Sequence, residues 1–69
     1  MNNQQIGKII QERRGYFNLT QKDVAEMAGI TFKSISEIEL GIRNPSLNTL
    51  KSILEVLGSE LKVQIKSMN

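Results

Sequence analysis

The sequence predicts a mainly α-helical domain of four or five helices, followed by a single β-strand near the C-terminus. Apolar residues recur at helical spacing in four segments, and each segment follows a residue that can cap a helix N-terminus. Only residues 60–66 alternate apolar and polar side chains with the period of two that is typical of a half-buried strand. We therefore expect a helical domain over residues 1–58, a strand over residues 59–66 and a tail over residues 67–69.

The composition predicts one small domain and argues against several classes of function. The chain has 69 residues, a formal net charge of +2, and neither Cys nor His. It therefore lacks disulfides, thiolate ligands, and the commonest general base and metal ligand. We expect no metal, no cofactor and no catalytic residue. No apolar run reaches membrane length and no signal-peptide pattern opens the chain, so we expect a soluble cytoplasmic protein without a membrane partner.

The first helix is predicted over residues 3–15. Asn2 or Asn3 can cap it. An apolar stripe follows at helical spacing, formed by Ile6, Ile9 and Ile10. Gly7 either weakens this helix slightly or admits the backbone of another element. Asn18, in the turn that follows, is one of the few residue types that tolerate a left-handed conformation.

Two short helices joined by a tight turn are predicted over residues 21–28 and 32–40. A threonine that can accept a first-turn N–H precedes each helix, and a glycine that can take a left-handed conformation follows it. These residues are Thr20, Thr31, Gly29 and Gly41. Two helices joined by a short Gly-containing turn form the helix-turn-helix arrangement, whose second helix enters the DNA major groove.

A helical wheel divides residues 32–40 into two sides, at about 100° per residue. The side with the apolar residues holds Ser34, Ile35, Ile38 and Glu39. The opposite, polar and varied side suits a helix that reads another molecule, and it holds Phe32, Lys33, Ser36 and Glu37.

The fourth helix is predicted over residues 47–57, after Pro45 and a capping Ser46. Gly58 can end it. Its apolar stripe comprises Leu47, Leu50, Ile53, Leu54 and Leu57.

One long run resembles the Xre/Cro family of bacterial and phage repressor domains. From Thr20 it reads TQ-x-x-V-A-x-x-A-G-I-x-x-x-x-I-S-x-I-E-x-G-x-R-x-P-S-x-x-T-L, and the resemblance covers about residues 6–58. It implies a lambda-repressor-like helix-turn-helix fold with double-stranded DNA as the partner. In this family the arginine seven residues before the Thr-Gln glutamine commonly pairs with a glutamate near the end of the recognition helix. The resemblance therefore implies a structural ion pair between Arg14 and Glu39.

The same resemblance implies a division of DNA contacts. In the family the residue at Gln21 contacts backbone phosphate, and the further phosphate candidates are Thr31, Ser34, Arg43 and Asn44. The four outward residues match the family's base-reading positions. Phe32 suits a thymine methyl, Lys33 suits guanine O6 or N7, and Glu37 suits cytosine N4, whereas Ser36 can pair either way. The alternatives are a Lys33–Glu37 ion pair on a solvated helix and a Phe32 side chain folded back onto Met27 or onto a dimer partner.

The predicted strand needs a partner, because a single strand cannot satisfy its own backbone groups. The simplest partner is the same strand of a second copy, which makes Leu61, Val63 and Ile65 the predicted dimer interface. The alternatives are a frayed tail or an extension of the fourth helix past Gly58. A repressor domain followed by such a strand is similar to HipB-type antitoxins, and this similarity implies a HipA-like kinase toxin as a further partner.

Together these observations predict a homodimeric, sequence-specific repressor that binds a palindromic operator. An antitoxin that represses its own operon is the narrower form of this prediction. The competing class is a protein-interaction module on the same scaffold that binds a toxin or another partner without binding DNA, because the fold alone does not separate the two. An enzyme is not expected, because the sequence contains no nucleophile–base pair and no phosphate loop.

Overall fold

A computed structural model describes residues 1–62 and 64–66. Over these residues the chain forms four helices, and their limits are α1 (Asn3–Tyr16), α2 (Gln21–Ala28), α3 (Phe32–Leu40) and α4 (Leu47–Val56). Helices α2 and α3 have the limits expected from the sequence, α1 is one residue longer, and α4 is one residue shorter. No fifth helix occurs in the part of the chain that the structure describes. None of the described helices is long and apolar enough to span a membrane.

Each helix begins after a side chain that accepts a hydrogen bond from the backbone of its first turn. The capping residues are Asn2, Thr20, Thr31 and Ser46. Two of these caps are reciprocal: Gln5 accepts from the Asn2 amide at 2.8 Å, and Asp23 accepts from the Thr20 amide at 2.9 Å. The bond from the Thr20 amide lowers the pKa of Asp23 below its ordinary value, because it stabilises the carboxylate.

All four helices end in the same backbone motif. A residue with positive φ follows the helix, and the next N–H bonds to the carbonyl five residues earlier, which is the Schellman pattern. The residues with positive φ are Asn18, Gly29, Gly41 and Gly58. The residue that follows normally packs on the core, as Leu19 and Ile30 do. Ile42, after α3, is instead exposed to solvent.

The core lies where α3 meets α1 and α2, and where α2 meets α4. It is formed by Ile10, Val24, Ala25, Ile35, Ile38, Ile53 and Leu57. Two residues of the predicted apolar stripes are exposed to solvent. Ile9 is on the exposed side of α1, and Leu47 is 63% exposed because the first residue of α4 precedes the part of that helix that reaches the core.

Helix α1 contacts the backbone at the end of α3. A Cβ atom on Gly7 would lie 2.5 Å from the carbonyl oxygen of Ile38 and 2.6 Å from that of Glu39. Gly7 therefore admits another backbone, which is the second of the two roles open to it from the sequence. A Cβ on Gly41 would likewise lie 2.9 Å from Cα of Gln4. The C-terminal turn of α3 is thus fixed directly against α1.

The Arg13 side chain joins α1 to the end of α4. Its Nε and Nη2 donate to the carbonyl oxygen of Leu57 at 3.3 and 3.0 Å. Its guanidinium also lies 5.0 and 5.1 Å from the ring centres of Tyr16 and Phe17. The last residue of α1 and the residue that follows it therefore cover a cation that binds the C-cap of α4.

The predicted C-terminal strand is not observed over the residues that the structure describes. Residues 60–62 and 64–66 belong to no helix or strand, and Val63 lies outside the described residues. The physical reason is that a strand needs a ladder partner, and the described part of this chain provides no other strand. Leu61 lines an apolar groove of about 310 Å³ between α1 and α4, and Ile65 is fully exposed. The dimer contact through Leu61, Val63 and Ile65 stays a prediction.

Candidate nucleic-acid interface

The outer side of α3 holds the four predicted base-contact residues. Ile35 and Ile38 are buried and turn the opposite side of the helix into the core. Phe32 and Lys33 are exposed, and Ser36 and Glu37 are half-buried. Leu40 shares this side of the helix and is also exposed. The structure therefore presents a continuous surface along α3 on which side chains can be exchanged without entering the core.

The inner edge of α3 is fixed by the ion pair predicted between Arg14 and Glu39. Arg14 Nε and Nη2 donate to the two oxygens of Glu39 at 2.8 and 3.0 Å, in the bidentate arrangement. The side chains are 19% and 5% exposed, respectively. The hydrogen bond to Glu39 raises the pKa of the Arg14 guanidinium above its ordinary value, because it stabilises the charged form. Arg14 Nη1 also donates to the carbonyl oxygen of Leu19 at 3.0 Å, which adds the α1–α2 turn to the cluster.

Gln21, the first predicted phosphate contact, belongs to the same cluster. Its Nε2 donates to Glu39 Oε1 at 3.1 Å. A carboxamide nitrogen has two N–H groups, so one remains for a phosphate oxygen. The backbone N–H groups of Gln21 and Lys22 lie in the first turn of α2, where no carbonyl of the helix can accept from them. The start of α2 therefore presents donors whose position is set by the same glutamate that fixes α3.

Lys22 is a candidate contact that the sequence analysis missed. It is exposed and, together with Gln21 and Phe32, lines a concave surface of about 540 Å³ beside the start of α2. A cation in the first turn is unfavourable to the helix dipole, and an external anion removes that cost. The sequence signal for this contact is a lysine in the first turn of a helix, a position that favours Asp or Glu.

Thr31 and Ser34, also predicted to bind phosphate, lie at the start of α3 and bind each other. Thr31 Oγ1 accepts from the Ser34 amide at 3.1 Å and lies 2.9 Å from Ser34 Oγ. The Thr31 hydroxyl is thereby occupied by helix capping. The Ser34 hydroxyl retains a hydrogen that it can donate outward. The structure thus favours Ser34 over Thr31 as the donor to a phosphate.

Arg43, a predicted phosphate contact, is joined to Glu37, a predicted base contact. Arg43 Nε and Nη2 both donate to Glu37 Oε1, at 3.0 and 2.7 Å. The alternative of a Lys33–Glu37 ion pair is not present among the described residues. Asn44, the last predicted phosphate contact, is exposed in the loop that follows.

The described residues show no arrangement typical of a metal site. Over residues 1–62 and 64–66, no group of three or more Asp or Glu side chains could hold an ion.

Comparison with known proteins gives matches over most of the chain. A family model described as helix-turn-helix matches residues 3–63. The HTH-type transcriptional regulator PuuR of Escherichia coli K12 is 38% identical over 55 residues, which are 80% of this chain and 30% of PuuR. The chain thus spans less than a third of the length of that relative.

Solved structures of transcription regulators are similar over the same region. The clp gene regulator ClgR of Corynebacterium glutamicum superposes with a TM-score of 0.81 at 24% identity, covering 84% of this chain and 62% of ClgR, which is a likeness of fold. The biofilm regulator SinR in complex with DNA superposes with a TM-score of 0.76 at 30% identity, covering 80% of this chain and 89% of SinR.

Proposed function

The chain belongs to the helix-turn-helix family of Xre/Cro-like transcription regulators, a DNA-binding and non-enzymatic class, and from this premise we propose that it is a sequence-specific repressor that binds operator DNA through α3. The observation that carries the proposal is the division of α3 into two sides. One side is fixed by the core and by Glu39, and the other presents Phe32, Lys33, Ser36 and Glu37 to solvent. A helix that is fixed on one side and presents polar groups outward on the other is what reading of base edges in the major groove requires.

Candidate phosphate-binding groups near both ends of α3 support the proposal. Gln21 and Lys22 at the start of α2 lie on one side, together with the Ser34 hydroxyl. Asn44 lies in the loop after α3. Such contacts fix the register of the helix on the duplex, and the bases then determine the sequence preference.

We propose further that the repressor acts as a homodimer on a palindromic operator, with half-sites about one helical turn apart. Two exposed apolar segments are candidates for the interface. One is the tail with Leu61, Val63 and Ile65, of which Leu61 and Ile65 are exposed among the described residues. The other is the end of α3, where Leu40 and Ile42 are exposed. Either contact buries apolar surface that the single chain leaves in water.

Sedimentation of three chains distinguishes the two interfaces. A chain ending at Gly58 tests the tail, and a full chain with Leu40→Ser and Ile42→Ser tests the end of α3. If the tail forms the interface, the shortened chain should sediment as a monomer and the doubly substituted chain as a dimer. A full chain that remains monomeric at all concentrations would contradict the dimer.

The antitoxin function and the HipA-like kinase partner depend on the tail alone. The described residues 60–62 and 64–66 contain no strand that supports the similarity to HipB-type proteins, so both stay predictions. The repressor proposal does not depend on them.

Selection of binding sites from a library of random duplexes tests the proposed function. The parent chain should enrich a sequence with two mirrored half-sites. A chain in which Phe32, Lys33, Ser36 and Glu37 are all alanine should keep its helical circular dichroism and its weak, salt-sensitive binding to random DNA, but enrich no sequence. If this variant enriches the parental sequence, α3 does not read bases. If the parent itself enriches nothing, the chain is not a sequence-specific regulator.

A further inference from the structure

The turn that follows α3 places the Arg43 guanidinium against Glu37, on the outer side of the same helix. At Gly41 the backbone takes a left-handed turn, with φ of 77°. The amide of Ile42 then bonds to the carbonyl oxygen of Glu37 at 3.1 Å. Arg43, the next residue, thereby lies beside the Glu37 side chain. Gly41 cannot easily be replaced in this role, because a side chain there would collide with Gln4 of α1 as well as strain the turn.

The pair that results uses only one of the two carboxylate oxygens. Both Arg43 nitrogens donate to Glu37 Oε1, at 3.0 and 2.7 Å, and no hydrogen bond to Oε2 is formed within the described residues. The Glu37 side chain is 27% exposed and the Arg43 side chain 44%, so Oε2 can still be reached from outside. By contrast, both oxygens of Glu39 are occupied by protein donors.

We infer that Arg43 is a positioning residue for base recognition, which holds and neutralises Glu37 so that the free Oε2 accepts a hydrogen bond from an exocyclic amino group in the major groove. This inference rests on the proposed function. It differs from the expectation that Arg43 binds phosphate, because it assigns the Nε–H and one N–H of Nη2 to Glu37.

Electrostatics explains why a glutamate on a DNA-reading helix needs such a partner. A bare carboxylate in the major groove is repelled by the phosphates on both strands. A neighbouring guanidinium cancels this charge while leaving the second oxygen as an acceptor. Of the two amino groups in the groove, that of cytosine suits a carboxylate better, since adenine N6 lies next to the N7 acceptor, which repels it.

Two substitutions and their combination separate the positioning role of Arg43 from a phosphate contact. Arg43→Lys keeps the charge and loses the planar fork. If Arg43 positions Glu37, this variant should keep the parental salt dependence of binding but lose at least about fivefold of the preference at one base pair per half-site. Glu37→Ala should lose preference at that same base pair. The double variant should lose no more there than either single variant, because the two side chains act as a unit.

Glu37→Gln gives a second, independent readout. Removing the carboxylate charge releases Arg43 to find a phosphate, so the slope of log K against log salt for a random duplex should become steeper by about 1. If Arg43 already binds phosphate in the complex, the slope should stay at the parental value. Lys33→Ala is the matched control: it should lose preference at a different base pair, and its effect should add to that of Arg43→Lys.

The measurements are binding-site selection from random duplexes and titration of a fluorescent random duplex at several salt concentrations. The inference is overturned if Arg43→Lys keeps the full parental preference and the salt slope of Glu37→Gln stays at the parental value. The proposed function would remain intact in that case. A parent chain without any sequence preference would refute both.

Discussion

Helix α3 carries two glutamates two residues apart, Glu37 and Glu39, and each is paired with an arginine. The two pairs differ in burial and in the hydrogen-bond acceptors that they leave free. Glu39 and Arg14 are 5% and 19% exposed and join α3 to α1 through two bonds on two oxygens. Glu37 and Arg43 are 27% and 44% exposed and use a single oxygen within one continuous segment of chain. The same chemistry thus fixes the helix on one side and leaves an acceptor available on the other.

Burial and remaining hydrogen-bonding capacity decide which role each pair has. Removing one partner of a buried pair leaves the other charge without compensation, whereas an exposed charge is solvated by water. The inner pair is therefore expected to govern stability, and the outer pair to govern recognition. The following predictions test this contrast.

The largest expected effect is on the stability of a Glu39→Ala chain. The substitution leaves Arg14 and the Gln21 carboxamide without their acceptor, and we expect a loss of about 3 kcal/mol in the free energy of unfolding. Glu37→Ala, the control on the outer side, should change stability by less than about 1 kcal/mol. Urea unfolding at one protein concentration, followed by circular dichroism, measures both. Similar losses for the two variants would remove the distinction between the pairs.

The next effect concerns the glycine against which the inner side of α3 packs. A Cβ on Gly7 would collide with two backbone oxygens of α3, so Gly7→Ala should destabilise the chain by about 2 kcal/mol. Gly15→Ala is the matched control in the same helix, because nothing lies within 4 Å of the position of its Cβ. It should stabilise the chain by about 0.5–1 kcal/mol, since alanine suits a helix better than glycine. Thermal or urea unfolding of the two chains gives the comparison, and a neutral Gly7→Ala would contradict the close approach.

On the outer side, Lys33→Ala should change recognition and leave stability unaffected. A lysine donating to guanine O6 or N7 contributes about 1 kcal/mol of discrimination at one base pair. Its free energy of unfolding should stay within about 0.5 kcal/mol of the parent, as is usual for an exposed residue. Competition between the selected duplex and duplexes with single base-pair changes measures the first quantity. A uniform loss of affinity for every duplex would assign Lys33 to a phosphate instead.

The smallest effect is the pH dependence of the exposed cap at Asp23. Because folding lowers the pKa of this carboxyl group, its contribution to stability is complete above its ordinary pKa of 3.8 and is lost as the pH falls through the lower folded value. The difference in unfolding free energy between the parent and Asp23→Asn should therefore shrink as the pH is lowered below about 3.8. A difference that grows in acid would contradict the cap.

The helices could be predicted from the sequence because their signals are local. The capping residues and the left-handed residues that end each helix lie within a few positions of the boundaries they set, as Thr20 and Gly29 do for α2. The Arg14–Glu39 pair spans 25 residues, and its prediction came from family resemblance rather than from local signals. The wheel of α3 added only that Glu39 lies on the inner side.

The features that could not be predicted from the sequence depend on contacts that no local pattern specifies. Alternation in residues 60–66 predicts a strand, but a strand exists only with a second one beside it. The Glu37–Arg43 pair crosses a reversal of the chain at Gly41, so neither helical spacing nor the wheel brings the two residues together. Leu47 fits the apolar period of α4, yet the core does not extend to the first turn.

The backbone contact of Gly7 with α3 also bears on how such a protein can acquire new targets. Because main-chain atoms of Ile38 and Glu39 form this contact, we expect the angle of α3 to be independent of the outward side chains. We expect that the four reading residues can be exchanged as a set while the half-site spacing is conserved. Sequence specificity can then diverge through substitutions at a few outward positions of α3, and the interior of the domain needs no repacking.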